Sequence, residues 1–157
     1  MTNSVSSGRA VDAAQRQRQQ WMKVLAGAGP RLSDYSEALR QGEHRFIRPA
    51  EIGMVMVRGR MGASGAPFNL GEMTVTRCVV QLADGRHGYS YVAGRSKQQA
   101  ELAALADAHL QGDNHAHWMA RLIEPLQREQ HAQRAAKEAQ SAASQVEFVT
   151  MVRGESE

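Results

Sequence analysis

The sequence predicts an α+β fold in a single domain, an antiparallel meander of at least three strands flanked by N-terminal and C-terminal helices. Two observations lead to this prediction. Apolar residues recur at helical spacing near both ends of the chain, whereas the stretch 46–91 alternates with the two-residue period of β-strands. The chain has 157 residues, 42% of them hydrophobic, which is enough for one hydrophobic core.

The N-terminal part predicts a tail followed by a helix. Residues 1–9 are small and polar and are expected to form a disordered tail, which leaves 10–157 as the folded domain. A helix is expected over 10–26, because Trp21 and Leu25 fall on one side at helical spacing. Two glycines and a proline directly afterwards indicate its end.

A short helix and a short strand are predicted next. The helix covers 34–39, with Asp34 as its capping residue and Glu37 three positions later, as in a capping box. The strand covers 46–47 and is expected to end before Pro49, which lacks the backbone donor of a strand residue.

Two longer strands, 52–61 and 72–82, are predicted around a glycine-punctuated loop. Alternation places one set of side chains of the first strand on a common face: Met54, Met56, Arg58 and Arg60. The dipeptide Asp84-Gly85 is a strong hairpin signal, and a third strand returns through Tyr89 and Tyr91.

After the sheet, helical spacing resumes. Ser96 is the expected cap of an alanine- and leucine-rich helix over 97–111. Asp107 interrupts its apolar face, and a structural ion pair with Arg95 or Lys97 is expected.

The last third predicts further helices and an arm. Asn114 is the expected cap of a helix that Pro125 kinks or restarts. Beyond it a thin alanine stripe, at 132, 135, 139 and 142, suits docking against another element or subunit. Alternation at the C-terminus predicts an extended arm over 145–157.

Composition excludes several classes of protein. A single cysteine, Cys78, rules out an internal disulfide and a cysteine-ligated cluster, and its place in a strand indicates a small buried side chain. The sequence has neither an apolar stretch of the roughly 20 residues that a membrane helix needs nor a signal core, so a cytoplasmic protein with no membrane partner is expected. A net charge of +3 falls short of a nucleic-acid footprint unless the charge is concentrated in one place.

All but one of the candidate anion-binding or partner-binding residues lie in the segment 48–77. Guanidinium groups bind phosphate and carboxylate with paired donors, and glycine-rich loops present backbone donors. The candidates are Arg58, Arg60, Arg77, Arg95, Gly62 and Gly65. Arg77 joins the first two if the strand register allows it. The alternative is that these arginines are solvated or pair with Glu51 and Glu72.

Catalytic and metal-binding patterns are weak. No Walker signature follows the loop. Ser64, Ser90 and Cys78 have no base evident in the sequence. His115 and His117 are two residues apart, which points their rings in different directions on a helix. No catalytic residue and no metal ligand is therefore proposed. Candidate subunit-interface residues are instead Met54, Met56, Phe148, Met151 and Arg153.

An ordered series of short motifs resembles the PhnG family, a component of the bacterial carbon–phosphorus lyase system for phosphonate use. The series begins with Arg18-x-x-Trp21 and ends with Phe148-x-Thr150-Met151-Val152-Arg153-Gly154. Between them lie matching stretches at 48–53, 57–62, 68–72, 74–77 and 94–97. Departures are mild: Ala50 and Ala63 stand where the family usually has proline and glycine, and Ser96 where it tends to have aspartate.

The resemblance implies a PhnG-like domain in a cytoplasmic assembly. In such systems the proteins PhnG, PhnH, PhnI and PhnJ form a core with two copies of each. PhnG, PhnH and PhnI act with PhnL to attach a phosphonate to the ribose of MgATP and expel adenine. PhnI is regarded as catalytic, and the iron–sulfur radical step belongs to PhnJ.

This chain would then be an accessory subunit of a transferase, binding no cofactor alone. Whether it takes part in catalysis itself is left open. The alternative is a stand-alone module that binds small anions or nucleic acid, which the interspersed acidic residues and the lack of a stacking motif disfavour.

Overall fold

The computed structural model describes residues 4–62 and 65–143, and the side chains of 12–62 and 65–142. The helical segments are α1 (Ser4–Ala26), a 3-10 segment (Gly29–Tyr35), α2 (Ser36–Leu39), α3 (Lys97–Leu110), α4 (His115–Trp118), a π turn (Met119–Ile123) and α5 (Glu124–Ala143). The strands β1 (His44–Arg60), β2 (Pro67–Leu82) and β3 (His87–Ala93) form one antiparallel sheet in the order β1-β2-β3. The predicted α+β meander is confirmed.

The core lies between the sheet and α3. One sheet face presents Thr76, Cys78, Val80 and Val92, all fully buried, to the alanine-rich helix. The approach is so close that a Cβ on Gly88 would lie 1.9 Å from the carbonyl oxygen of Ala104, so only glycine fits there. The other side of α3 packs against α1, α2, the 3-10 segment and α4.

Strand β1 is longer than predicted because it continues through Pro49. The expected short strand at 46–47 and the long strand at 52–61 are one strand. Its pairing with β2 shifts register between Phe46 and Arg48, and again between Arg48 and Glu51. An edge strand accommodates proline at such a bulge, since no ladder hydrogen bond is lost there.

The first helix begins at Ser4, before the predicted start at Ala10, and no proline precedes Ala26 to break it. Disorder of the tail 1–9 stays a prediction. The capping role of Asp34 is wrong. Residues 29–35 form a 3-10 segment and α2 begins at Ser36, so Asp34 lies before the helix and pairs with Arg31 at 3.8 Å instead.

Helix α3 begins as predicted, with the Ser96 hydroxyl accepting a hydrogen bond from the Gln99 amide at 3.2 Å. Asn114 makes no side-chain cap bond to α4. The interruption expected at Pro125 takes the form of the π turn, which lies directly before α5. Within the described ranges, no helix is both long and apolar enough to cross a membrane.

A buried carboxylate on α3 connects that helix to α1 and to β3. Asp107 of α3 is fully buried and accepts hydrogen bonds from two side chains of α1, Arg18 Nη2 at 2.6 Å and Trp21 Nε1 at 2.8 Å. It also accepts from the main-chain amide of Tyr89, at 2.9 Å, on the edge of β3 that faces away from β2. The guanidinium of Arg18 lies 5.5 Å from the centre of the Tyr89 ring.

The ion pair expected at Asp107 therefore exists, but its partner is Arg18 and not Arg95 or Lys97. Arg95 and Lys97 lie at the start of α3, three turns away from Asp107 along the helix axis. The Arg18-x-x-Trp21 spacing places both donors on one face of α1, one turn apart, where they reach the same carboxylate.

We predict that Asp107→Asn destabilises the chain by about 3 kcal/mol, because it removes the charge opposite Arg18 and leaves a buried amide among donors. Urea unfolding measures the change. Asp113→Asn is the control, since Asp113 is exposed, and its expected effect is below about 0.5 kcal/mol. Equal unfolding midpoints for the two variants would contradict the role given to Asp107.

Candidate functional site

A two-stranded arm projects from the core. Strands β1 and β2 extend about 55 Å, whereas α3, which covers them, extends about 21 Å. Strand β3 pairs with β2 only from Val75 to Gln81. We call the remaining hairpin, Met54–Arg60 with Pro67–Thr74, the β-arm; none of its residues is buried.

Both faces of the β-arm carry exposed apolar side chains. Met54 and Met56 are 66% and 55% exposed, and they continue the face that α3 covers nearer the core. The opposite face carries Phe68, Leu70 and Met73, also exposed. A two-stranded ribbon with uncovered apolar faces is marginally stable alone, and such faces mark interaction surfaces.

The second face is organised around Gly59 and a bulge. The pairing steps from Val57 with Gly71 to Arg58 with Asn69, so Leu70 is the extra residue. A Cβ on Gly59 would lie 3.6 Å from Cζ of Phe68 and 3.7 Å from Cβ of Leu70. The phenyl ring and the leucine therefore lie over the glycine and form a small apolar patch.

Two free arginines stand near the end of the β-arm. Arg58 and Arg60 are exposed on the same face as Met54 and Met56, which confirms the predicted alternation. Neither forms an ion pair or a side-chain hydrogen bond with any residue in the described ranges. Their guanidinium groups are available to an anion or to a partner.

Of the other candidate anion-binding residues, the structure brings Gly62 and Gly65 to this end of the β-arm, but not Arg77 or Arg95. Arg77 lies on the opposite sheet face, where its Nε donates to Glu51 at 2.7 Å. Arg95 lies in the turn between β3 and α3. Gly62 follows β1 with a φ of +65°, which fits a tight turn, and Gly65 lies just before β2. These assignments remain predictions.

The candidate interface residues fall into two groups. Met54 and Met56 lie on the β-arm and are the most exposed large hydrophobic residues of β1. Phe148, Met151 and Arg153, with the arm predicted over 145–157, lie outside the described residues. Phe68, Leu70 and Met73 were not predicted as interface residues from the sequence. Three apolar residues close to Gly65 and Gly71 could have indicated them.

The side chains of Cys78 and His109 have structural partners. Burial raises the pKa of the Cys78 thiol to about 11, and its Sγ donates to the Arg48 carbonyl oxygen at 3.4 Å. The thiol is therefore neutral and unreactive at physiological pH, in agreement with the expected small buried side chain. Burial lowers the pKa of His109, whose Nε2 donates to the Leu39 carbonyl oxygen at 3.1 Å.

The two histidines of α4, His115 and His117, contact different residues. His115 Nδ1 donates to the Leu110 carbonyl oxygen at 2.7 Å, and its ring lies 5.3 Å from that of Trp21. The ring of His117 contacts Trp118 instead. Within the described ranges, no three histidine, cysteine or acidic side chains lie close enough together to hold a metal ion.

A small α+β core that carries a long, apolar, uncovered hairpin is the architecture of a protein that works inside an assembly. The chain belongs to the family described as phosphonate metabolism protein PhnG, whose sequence model matches residues 16–154. A relative in Rhizobium meliloti (strain 1021) is alpha-D-ribose 1-methylphosphonate 5-triphosphate synthase subunit PhnG. It is 39% identical over 146 residues, which cover 92% of this chain and 94% of the relative.

Proposed function

We propose that this chain is an accessory subunit of the carbon–phosphorus lyase core complex. In that role it is required with PhnH, PhnI and PhnL for transfer of the ribose 5-triphosphate part of MgATP to a phosphonate, with release of adenine. Support comes from the family assignment and from the relative, which is named as a subunit of this synthase. The observation that carries the accessory role is the uncovered β-arm.

The partners are the other proteins of the core, PhnH, PhnI and PhnJ, with two copies of each subunit, and PhnL. The exposed methionines suit such an interface, since their flexible side chains adapt to an irregular partner surface. Residues 145–157, with Phe148, Met151 and Arg153, are a second candidate contact. The complex works in the cytoplasm, MgATP is its substrate, and iron–sulfur chemistry belongs to another subunit.

Arg58 and Arg60 give the β-arm a second role. They are unpaired within the described ranges and stand beyond the two exposed methionines on the same face. If a partner covers the methionines, the two guanidinium groups lie at the border of that contact. We propose that they reach the triphosphate of the substrate there, because paired donors of this kind bind phosphate oxygens.

The interface role predicts that Met54→Glu with Met56→Glu prevents assembly with the other subunits. Each substitution is expected to weaken association about tenfold, since it places a charge in an apolar contact. Because both side chains are exposed, the free chain should unfold at nearly the same urea concentration as the parent. Size measurement of the co-expressed subunits tests this.

Tyr91→Glu is the matched control for the methionine variants. Tyr91 is 50% exposed and lies on β3, outside the β-arm, so its substitution should leave assembly intact. Normal assembly of the double methionine variant would show that the β-arm is not part of the interface.

The anion role predicts that Arg58→Gln and Arg60→Gln lower the activity of the assembled synthase about tenfold or more. Arg45→Gln is the control, because Arg45 lies at the other end of β1, where its Nε donates to the Gln81 side chain at 2.7 Å. Assembly of all three variants should be unchanged. Full activity of the Arg58 and Arg60 variants, in complexes of normal size, would refute a substrate contact.

A further inference from the structure

A groove between α1 and α5 lies outside the β-arm and the core. It encloses about 380 Å³, and a smaller cavity continues it along α5 to Lys137. Its floor is apolar, formed by Trp21, Val24 and Ile123, which are buried. Gln130 Nε2 donates to the Val24 carbonyl oxygen at 2.8 Å and holds the two helices together at this place.

The rim of the groove is basic. Lys23 stands on the α1 side, and Arg134 and Lys137 stand on the α5 side. No acidic side chain lines either cavity within the described ranges. None of these three cations forms an ion pair with a residue in the part of the chain that the structure describes. The rim therefore presents three cations without an ion-pair partner among the described residues.

The remaining lining side chains suit a polypeptide. Gln20 and Gln127 are exposed along the groove, and amide groups both donate to and accept from peptide groups. Helix α5 extends about 30 Å and buries no described residue after Leu126. A polar helix of this kind gains little stability by itself, so contact with another chain would stabilise it.

We propose that the α1–α5 groove binds an acidic segment of a partner subunit of the complex. Apolar side chains of that segment would contact the floor, while its carboxylates would lie near the three rim cations. The charge of the rim selects the occupant, since a basic segment would be repelled and a neutral one would leave three cations unpaired. This inference rests on the proposed function, because the occupant belongs to the same assembly.

A photoreactive benzophenone amino acid at Gln127, in the complex purified with all its subunits, tests the groove. Mass spectrometry should find its crosslinks in a partner segment where Asp and Glu outnumber Lys and Arg. The same amino acid at Ala136, exposed on the far side of α5, should give no such crosslink. Lys23→Glu with Arg134→Glu should lower the crosslink yield about tenfold at about 0.15 M salt.

Arg128→Glu is the charge control, since Arg128 is exposed on α5 and does not line the groove. Crosslinks to residues 144–157 of this chain, to a segment without acidic excess, or to nothing would each overturn the inference. Loss of the crosslink when MgATP is added would also overturn the inference, because it would indicate that the groove binds the nucleotide. Failure to purify with the other subunits would instead refute the proposed function, and the inference with it.

Discussion

The hairpin of β1 and β2 is much longer than α3, the helix that covers it, and the other features of the structure depend on this difference. Helix α3 seals the sheet only where β3 is also present, and beyond Val75 the two long strands have no cover within the described residues. An α+β domain of this size can bury one compact core but cannot bury a ribbon of this length. The β-arm therefore exposes apolar side chains on both faces, and we propose that another molecule stabilises it.

The buried carboxylate of Asp107 supports this arrangement at the β3 edge of the sheet, away from β1. It joins α1, α3 and the outer edge of β3, the strand that ends where the β-arm begins. If a partner binds the β-arm as proposed, a base held by these hydrogen bonds lowers the entropy lost on binding.

Alternation along 52–61 was sufficient to predict which side chains of β1 share a face, because the period of a strand does not depend on its cover. The sequence left open whether Arg77 joins Arg58, since that depends on cross-strand register, and the register places it opposite. The partner of Asp107 depends on contacts between residues 89 positions apart, which local spacing does not reveal. The sequence did not predict that β1 continues through Pro49, because that prediction requires knowing that β1 is an edge strand.

Hydrogen exchange of the β-arm amides tests the central claim, that this hairpin finds its cover in the assembly. The chain is compared alone and in the complex with the other subunits. We expect the amides of Met54–Val57 to exchange at least about tenfold more slowly in the complex, while Val92 in the core stays protected in both. Equal exchange of the β-arm in the two states would contradict the account.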